Sequence, residues 1–498
     1  MRIKANAFTQ ITIDDDYIIR DNKPDVLRVI YSRGDVVLED VRVGNGNVWV
    51  TGKLLFKSLY QSDDSRNCLD SVLGEIPFQE KVVLENAIDG EEVLADVNVE
   101  DLSVGIINSR KLMVRAVLNI QVKSMDETKD YIAEPYPEGR NYQQKTNEIL
   151  LLEQVANVQD VLRVQKELLL PNSRTNIGSL LFYQVDFRNQ DHRLEEDGLR
   201  IQMDAQVMVL YRSESTGEYE CYETIVPITG NIEIPGATYD ECFWAKIMPI
   251  EIVMEPREDY DGEARMFGLT IALSVTAQIY REEEKQMLVD AYSLEKELAI
   301  HRKPMIVQQL LMKNLSKVRL LEQASLDTNK ERILQMCSCS GSITVDRVQK
   351  EENGVKIEGI LTVDVLYNTA EDTSVYGHNC NQIPFEQYVE IDGVTESTDI
   401  WTDAQIEQLQ VNLLDSSEYE IKAILQICIM AIENWEMENI VELEELPLDM
   451  EALTRQPGMI GCVKKEGEDL WDIAKKYHAK ESDIIEIGEK VLVVKQVQ

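Results

Sequence analysis

Three stretches of the chain determine its fold class: GKLLFKSLY at residues 52–60, MDAQVMVLY at 203–211 and GILTVDVLY at 359–367. Counting back by two from each final tyrosine gives a set of mostly apolar residues, and the residues between them are mixed. This alternation is typical of a β-strand with one buried face. The predicted inward residues are Leu54, Phe56 and Ser58, then Ala205, Val207 and Val209, then Leu361, Val363 and Val365.

Other landmarks recur at matched distances from these strands. Pro77, Pro227 and Pro384 follow the three tyrosines after 17, 16 and 17 residues, in the contexts EIPF, IVPI and QIPF. We expect each proline to start an extended segment, because proline cannot donate a hydrogen bond to a sheet. A second alternating strand closes each repeat, with inward residues at every second position of 112–120, 269–279 and 421–429.

The spacing of the repeats is domain-sized, since Tyr60, Tyr211 and Tyr367 lie 151 and 156 residues apart. Short solenoid units are much smaller than this. Alternating strands joined by polar turns favour a mainly β protein, with three tandem domains that resemble β-sandwiches or, as the alternative, open barrels. The predicted boundaries are 1–145, 146–312 and 313–445 for the repeats, 446–457 for an acidic linker and 458–498 for a small C-terminal domain.

The last 41 residues, 458–498, follow a different pattern, which predicts a β-α-α-β domain. Asp469 is suited to cap the first helix, with Asp472 three residues later as in a capping box. SDIIEI, at residues 482–487, predicts a second short helix that opens at its serine. Apolar residues at i, i+3, i+4 and i+7 mark the first helix as amphipathic: Leu470, Ile473, Ala474 and Tyr477.

Charge excludes several classes of partner. The chain carries 50 Lys+Arg against 90 Asp+Glu, a formal net charge of −40. A polyanion such as nucleic acid, or an anionic lipid surface, would be repelled by most of this surface. No stretch approaches the ~20 apolar residues that span a bilayer, so we expect no membrane insertion.

The N-terminus MRIKANAFTQITIDDDY lacks the apolar core of a secretory signal. We therefore expect the protein to stay inside the cell. The eight cysteines include no CxxC pair, and we expect reduced thiols.

One group of residues could bind a metal ion. Cys337 and Cys339 share a strand face, and His378 and Cys380 follow about forty residues later. These four could form a zinc site. The other interpretation is that the two strand cysteines are ordinary buried thiols.

The chain contains no GxSxG, HExxH, Walker or GxGxxG pattern. We therefore expect a protein without enzymatic activity and without a cofactor. A hydrolase is the alternative, because an active site can assemble from residues that are distant in sequence.

Two family resemblances follow from these patterns. The C-terminal domain resembles a LysM module, with matches at Gly467, Leu470, Trp471, Ile473, Ala474 and Tyr477. The three repeats resemble SPOCS domains, which share the G…VLY…IPF landmarks. The second repeat departs from this pattern, with Met203 where the others have Gly52 and Gly359, and with IVPI in place of IPF. Together, the repeats and the tail resemble SipL-like spore-coat morphogenetic proteins.

The resemblance implies a non-enzymatic scaffold of endospore coat and cortex formation. Such proteins act in the mother-cell cytoplasm at the forespore surface, where they dock through LysM to the ATPase of the coat basement layer. The alternative is a LysM-dependent protein that binds peptidoglycan, an N-acetylglucosamine polymer, in the cell wall or spore cortex.

Two loops of a LysM module form its glycan groove, and both differ here. Glu468 and Asp469 stand where Asp and Thr are usual, and residues 485–489 lead almost directly into the last strand. We therefore expect the module to bind a protein, with Trp471, Tyr477 and Ile484 as candidate contacts, since aromatic anchors dominate many interfaces. The other interpretation is that Trp471 and Tyr477 form the core of the module. In the first interpretation, the change Trp471→Glu abolishes binding.

Overall fold

The computed structural model describes residues 2–63, 68–126, 131–137, 142–326, 332–371, 374–448, 457–465, 467–488 and 490–494. The prediction of a mainly β chain is confirmed, since most of these residues lie in strands. The chain divides into two compact units. Unit 1 contains residues 1–127, 154–280 and 310–433, and unit 2 contains residues 128–153, 281–309 and 434–498. The four predicted domain boundaries stay predictions.

Eighteen of the strands fall into three successive sets of six. The first set is β1 (Arg2–Ile18), β2 (Val26–Gly44), β3 (Asn47–Ser62), β4 (Leu69–Val83), β5 (Val93–Asn108) and β6 (Lys111–Asp126). The second set is β7 (Tyr142–Leu169), β8 (Ile177–Glu195), β9 (Gly198–Ser213), β10 (Tyr219–Glu233), β11 (Cys242–Arg257) and β12 (Met266–Ser293). The third set is β13 (Lys296–Ser325), β14 (Ile333–Glu351), β15 (Gly354–Glu371), β16 (Ser374–Glu390), β17 (Asp399–Leu413) and β18 (Glu418–Pro447).

Each set forms the same two three-stranded sheets. The second, third and fourth strands make a meander, in the orders β2-β3-β4, β8-β9-β10 and β14-β15-β16. The first, sixth and fifth strands make the other sheet, in the orders β1-β6-β5, β7-β12-β11 and β13-β18-β17. Between the sets, residues 142–150 and most of 281–318 lie in strands, whereas residues 131–137 form no regular secondary structure.

The three prolines lie within strands, so the prediction that they start an extended segment is wrong. Pro77, Pro227 and Pro384 fall inside β4, β10 and β16. Each of these strands is at the edge of its sheet. An edge strand tolerates proline, because the missing N–H costs no sheet hydrogen bond when it faces away from the neighbouring strand.

The adjacent leucine and tyrosine near the C-terminal end of each central strand enter two different cores. Tyr60 packs in the core of the first set, whose central strand also buries Leu54 and Phe56 completely. Tyr211 and Tyr367 do the same in the second and third sets. Successive side chains of a strand point to opposite faces, so the preceding leucine points the other way. The predicted inward residues of all three central strands are buried.

The three leucines meet in one shared cluster inside unit 1. Leu59, Leu210 and Leu366 are almost completely buried there, together with Tyr31 and Phe182. The meander sheets contact one another in a closed order around it, with β4 against β8, β10 against β14 and β16 against β2. Unit 1 is therefore organised around a centre to which all three repeats contribute equivalent side chains.

Polar bonds link the repeats beside this cluster. The Tyr31 hydroxyl lies 3.3 Å from both Gln184 Oε1 and Ser340 Oγ. Arg33 of the first set forms an ion pair of 2.7 Å with Asp186 of the second. These groups are largely buried, and buried polar groups of this kind favour one arrangement because each needs its partner.

The glycine and the phenylalanine of the G…IPF pattern are cross-strand neighbours. Gly52 pairs with Phe78, and Gly359 pairs with Phe385. A Cβ atom on Gly359 would lie 2.7 Å from Cζ of the Phe385 ring, too close for carbon atoms in contact, and it would lie closer still to the backbone carbonyl oxygen of Thr344. In the second repeat the corresponding pair is Met203 and Ile228. The second repeat therefore departs from the pattern at both positions together, and a larger residue opposite a smaller one fills the same space.

The packing of Gly359 against Phe385 can be tested by substitution. Gly359→Ala is expected to destabilise unit 1 by about 1–3 kcal/mol, because the added methyl group overpacks both the Phe385 ring and the Thr344 carbonyl oxygen. The double change Gly359→Met with Phe385→Ile reproduces the pair of the second repeat and is expected to recover only the part of the loss that is due to the ring. Urea unfolding followed by circular dichroism measures both. Gly105→Ala is the control, since its nearest atom is the flexible Met113 Cε at 3.4 Å. Full stability of Gly359→Ala would contradict the packing argument.

His192 in β8 is held neutral by its surroundings. Its Nε2 atom is buried and has no hydrogen-bond partner among the described residues. Burial lowers the pKa of His192 to about 4, with the Asp191 carboxylate opposing this shift. The unfolded chain binds this proton near pH 6.5, so folding stability falls as the pH drops below that value.

The variant His192→Gln is expected to lose less stability on acidification than the wild type. The difference between the two chains is expected to reach about 1–2 kcal/mol on going from pH 7 to pH 5. The thermal midpoints of both chains at these two pH values measure it. Equal losses in both chains would show that His192 does not titrate in this way.

Candidate functional site

The tail of unit 2 is a small α/β domain with one helix. It contains β19 (Met459–Val463), α1 (Leu470–Tyr477), a 3₁₀ turn at Glu481–Asp483, β20 (Ile484–Ile487) and β21 (Lys490–Val494). The strands form a sheet in the order β19-β21-β20. The prediction of a second helix at 482–487 is wrong. Ile484, Ile485 and Ile487 are β-branched and pair with β21, where such side chains pack well.

The start of α1 follows the prediction. Asp469 accepts a hydrogen bond from the Asp472 backbone, and the Asp472 side chain accepts one from the Asp469 backbone, which completes a capping box. Gly467, in the turn before the helix, has φ +84°. This left-handed conformation favours glycine, which explains the residue at this place in the LysM-like pattern.

Most residues of the LysM-like pattern build the core of the tail. Ile473 is buried with Val491 and Val493 of β21, and Leu470, Tyr477 and Ile484 pack against them. Tyr477 and Ile484 are therefore half-buried within the module. For Tyr477 this corresponds to the interpretation as module core, and the predicted contacts of these residues with a partner stay predictions.

The environment of Trp471 matches neither of its two interpretations, contact with a protein partner or core of the module. It is 7% exposed and packs edge to face on Tyr292 of β12, with ring centroids 4.8 Å apart. The indole Nε1 donates a hydrogen bond of 2.8 Å to Asp290 Oδ2. Ala474 and Ile484 complete this cluster. The side chain thus joins the tail to another segment of unit 2, and its indole face is covered by the chain itself.

Asp290 is the polar centre of this contact. Its two carboxylate oxygens accept hydrogen bonds of 2.6 and 2.8 Å from Lys475 Nζ, in addition to the bond from Trp471. Burial opposes ionisation of Asp290, but these hydrogen bonds outweigh it and lower the pKa of the carboxyl group. Asp290 is therefore ionised near neutral pH, and it binds both Trp471 and Lys475 of α1.

Further bonds surround this centre. The Tyr292 hydroxyl donates to Ala479 O at 2.8 Å, and His478 Nδ1 lies 3.1 Å from the carbonyl oxygen of Ser293. Lys145 of β7 pairs with Asp469 at 2.6 Å. We call the contact of the tail with β7 and β12 the tail dock. The sequence contains no signal for it, because Asp290 and Tyr292 lie about 180 residues before α1 in an unremarkable stretch, VDAYS.

A cleft of about 520 Å³ lies beside the dock. Asp469 and Trp471, at the start of α1, line it, as do Glu481 and Glu486. These residues belong to or adjoin the two loops that the LysM resemblance assigns to glycan binding. The remaining wall includes residues 144–146 of β7. A segment from outside the module therefore borders the place where a LysM glycan groove would lie.

The residues of the zinc alternative have other partners. Cys337 Sγ lies 3.1 Å from Asn368 Oδ1, whereas His378 Nε2 lies 2.7 Å from Asp364 Oδ1. Burial and the Asp364 carboxylate raise the pKa of Cys380 to about 12, which disfavours its thiolate form. In the part of the chain that the structure describes, no three His, Cys, Asp or Glu side chains are grouped to bind a metal ion.

The tail dock predicts a local change on removal of its carboxylate. Asp290→Asn keeps the side-chain shape but removes the charge that Lys475 faces, and is expected to weaken the dock by about 1–3 kcal/mol. Hydrogen exchange of the full chain measures this as faster exchange of amides 470–479. Glu297→Gln is the control, because Glu297 is 56% exposed in its 3.5 Å pair with His478 and such pairs contribute little. Equal exchange in Asp290→Asn and the wild type would refute the role of Asp290.

Comparison with known proteins places part of the chain in a family. The family model described as "SipL, SPOCS domain" matches residues 25–107 and 332–414, which lie in the first and third sets of strands. The second set and the tail lie outside these matches, although the second set has the same sheet order. A search of curated proteins and a search of solved structures gave no match.

Among the described residues, no helix is long and apolar enough to cross a membrane.

The repeats that carry the G…VLY…IPF landmarks without exception are the two that match the family model. The predicted resemblance is confirmed for these segments: residues 25–107 and 332–414 match the SPOCS domain of the SipL family.

Proposed function

We propose that the protein is a non-enzymatic scaffold of endospore coat and cortex formation. It would act in the mother-cell cytoplasm at the forespore surface. The observation that carries this proposal is the pair of SPOCS matches at residues 25–107 and 332–414. The non-enzymatic part rests on the sequence, which has none of the catalytic patterns considered above.

The construction of unit 1 supports a scaffold. All three repeats bury equivalent leucines in one centre, and buried polar bonds such as Tyr31 to Gln184 and Ser340 hold them together. A body of this kind offers a fixed platform with many surface carboxylates. An adaptor needs such a body to hold a partner at a defined place.

We assign docking of the coat-basement ATPase to the tail. The tail dock supports this, because ion pairs and the Trp471–Tyr292 contact hold the module in a fixed position within unit 2. A partner that binds a fixed module loses less conformational freedom than one that binds a flexible module, and preorganisation of this kind raises affinity.

Glycan binding by the tail is the second candidate. The cleft beside Trp471 favours it, since aromatic side chains commonly line sugar sites and this cleft lies at the expected LysM loops. The ion pair between Lys145 and Asp469 counts against it, because both side chains line this cleft and a sugar chain would have to displace or pass them.

Binding assays with the full chain separate the two functions. We expect purified coat-basement ATPase to bind the wild type with a dissociation constant of about 1 μM or tighter, and we expect no retention on peptidoglycan or chitooligosaccharide. Trp471→Glu is expected to weaken capture of the ATPase strongly, because it places a second carboxylate against Asp290, undoes the dock and so removes the fixed position of the module. Trp435→Glu is the matched control, since Trp435 is also in unit 2 and is 54% exposed.

Two results of these assays would contradict parts of the proposal. Retention on peptidoglycan without binding of the ATPase would favour the glycan-binding protein and reject the adaptor. Equal loss of ATPase binding in Trp435→Glu and Trp471→Glu would show that the effect is not specific to the tail dock.

A further inference from the structure

The sheet of the tail has a second apolar face, opposite α1. Cross-strand partners in an antiparallel sheet lie on the same face, and the register pairs Ile485 with Leu492 and Met459 with Val494. We call this the outer face of the tail. Its eight positions are Met459, Gly461, Val463, Ile485, Ile487, Lys490, Leu492 and Val494.

The outer face is exposed to a degree that is unusual for its composition. Met459, Val463, Ile485 and Ile487 are 62%, 61%, 51% and 67% exposed. An antiparallel sheet that covers a core on one side normally presents polar residues on the other. Single exposed apolar residues need no explanation, but an adjoining group of them marks an interaction surface.

The α1 side of the tail is already occupied. Trp471 is covered by Tyr292, and Asp290 takes up both Lys475 and the indole N–H. A partner that binds the docked tail therefore meets the outer face without disturbing these contacts.

The charge around the outer face indicates the chemistry of the partner. None of its eight described positions carries a carboxylate, although the chain has 90 Asp+Glu against 50 Lys+Arg. Its one charged residue is Lys490, and Lys465, just beyond β19, is also exposed. Glu486, between Ile485 and Ile487, pairs with Val491 on the opposite face and forms an ion pair of 3.6 Å with Lys464. The charge carried by the described positions of the outer face itself is therefore positive.

We propose that the outer face is the docking surface for a protein partner that presents an apolar patch bordered by carboxylates. This inference rests on the proposed function, and it identifies the surface that the docked partner uses. The apolar side chains supply the buried area, and Lys490 and Lys465 select a partner with carboxylates at the rim of its patch. Rim charges of this kind act mainly on specificity and association rate.

The test uses the full chain with purified coat-basement ATPase as the probe, at low and high salt. Ile487→Glu is expected to weaken binding at least tenfold, because it places a carboxylate in the apolar patch. Lys490→Glu is expected to weaken binding three- to tenfold at low salt and to reduce its salt dependence. Two controls are expected to stay within twofold of the wild type: Ile225→Glu, which is 64% exposed in β10, and Lys476→Glu, which is exposed on α1.

The thermal midpoint and the hydrogen exchange of amides 470–479 show whether each variant keeps its fold and its dock. If the wild type binds and both face variants bind equally well, the outer face is not the docking surface, and the proposed function stands. If the wild type does not bind, the adaptor function fails, and this inference fails with it.

Two further results would overturn the chemistry of the proposed partner. Tighter binding of Lys490→Glu would show that the partner is not bordered by carboxylates. A wild-type dimer in sedimentation analysis that Ile487→Glu converts to a monomer would show that a second copy of the chain covers the face.

Discussion

The structure of unit 1 depends on a strand that must be buried on both faces at one end. In each repeat the central strand contains Leu-Tyr near its C-terminal end, and the alternation of side chains sends these two residues in opposite directions. The tyrosine completes the core between the two sheets of its own repeat, whereas the leucine enters the centre shared by Leu59, Leu210 and Leu366. One pair of adjacent residues therefore couples the folding of a repeat to its association with the other two.

The second repeat shows how this arrangement tolerates change in sequence. The family pattern places glycine opposite phenylalanine, and the second repeat replaces both members with Met203 and Ile228. Since interiors are packed as densely as organic crystals, a change on one strand requires a compensating change on its neighbour. The sheet order is unaffected, and the family match is absent from this repeat. Backbone topology thus persists where the side-chain pattern has diverged.

The two surfaces of the tail differ in what they contact. Its α1 side is used within the chain, where Asp290 and Tyr292 bind Lys475 and Trp471. Its outer face carries exposed apolar side chains and no carboxylate. In a protein with a net charge of −40, a neutral to basic apolar surface is a distinct feature, and a fixed orientation of the module would give that surface a defined place for a partner.

The sequence by itself determined the class of the fold, the inward residues of the central strands, the capping box at Asp469 and the family of two repeats. All of these depend on periodicity or on residues close together in the chain. Only the tertiary structure decided that the prolines lie in edge strands, that Ile484–Ile487 form a strand and that Trp471 packs on Tyr292. The physical reason is that these features depend on neighbours distant in sequence. A β-branched segment becomes a strand only when another strand offers hydrogen bonds, and a tryptophan at a helical position packs against whatever surface the fold brings to it.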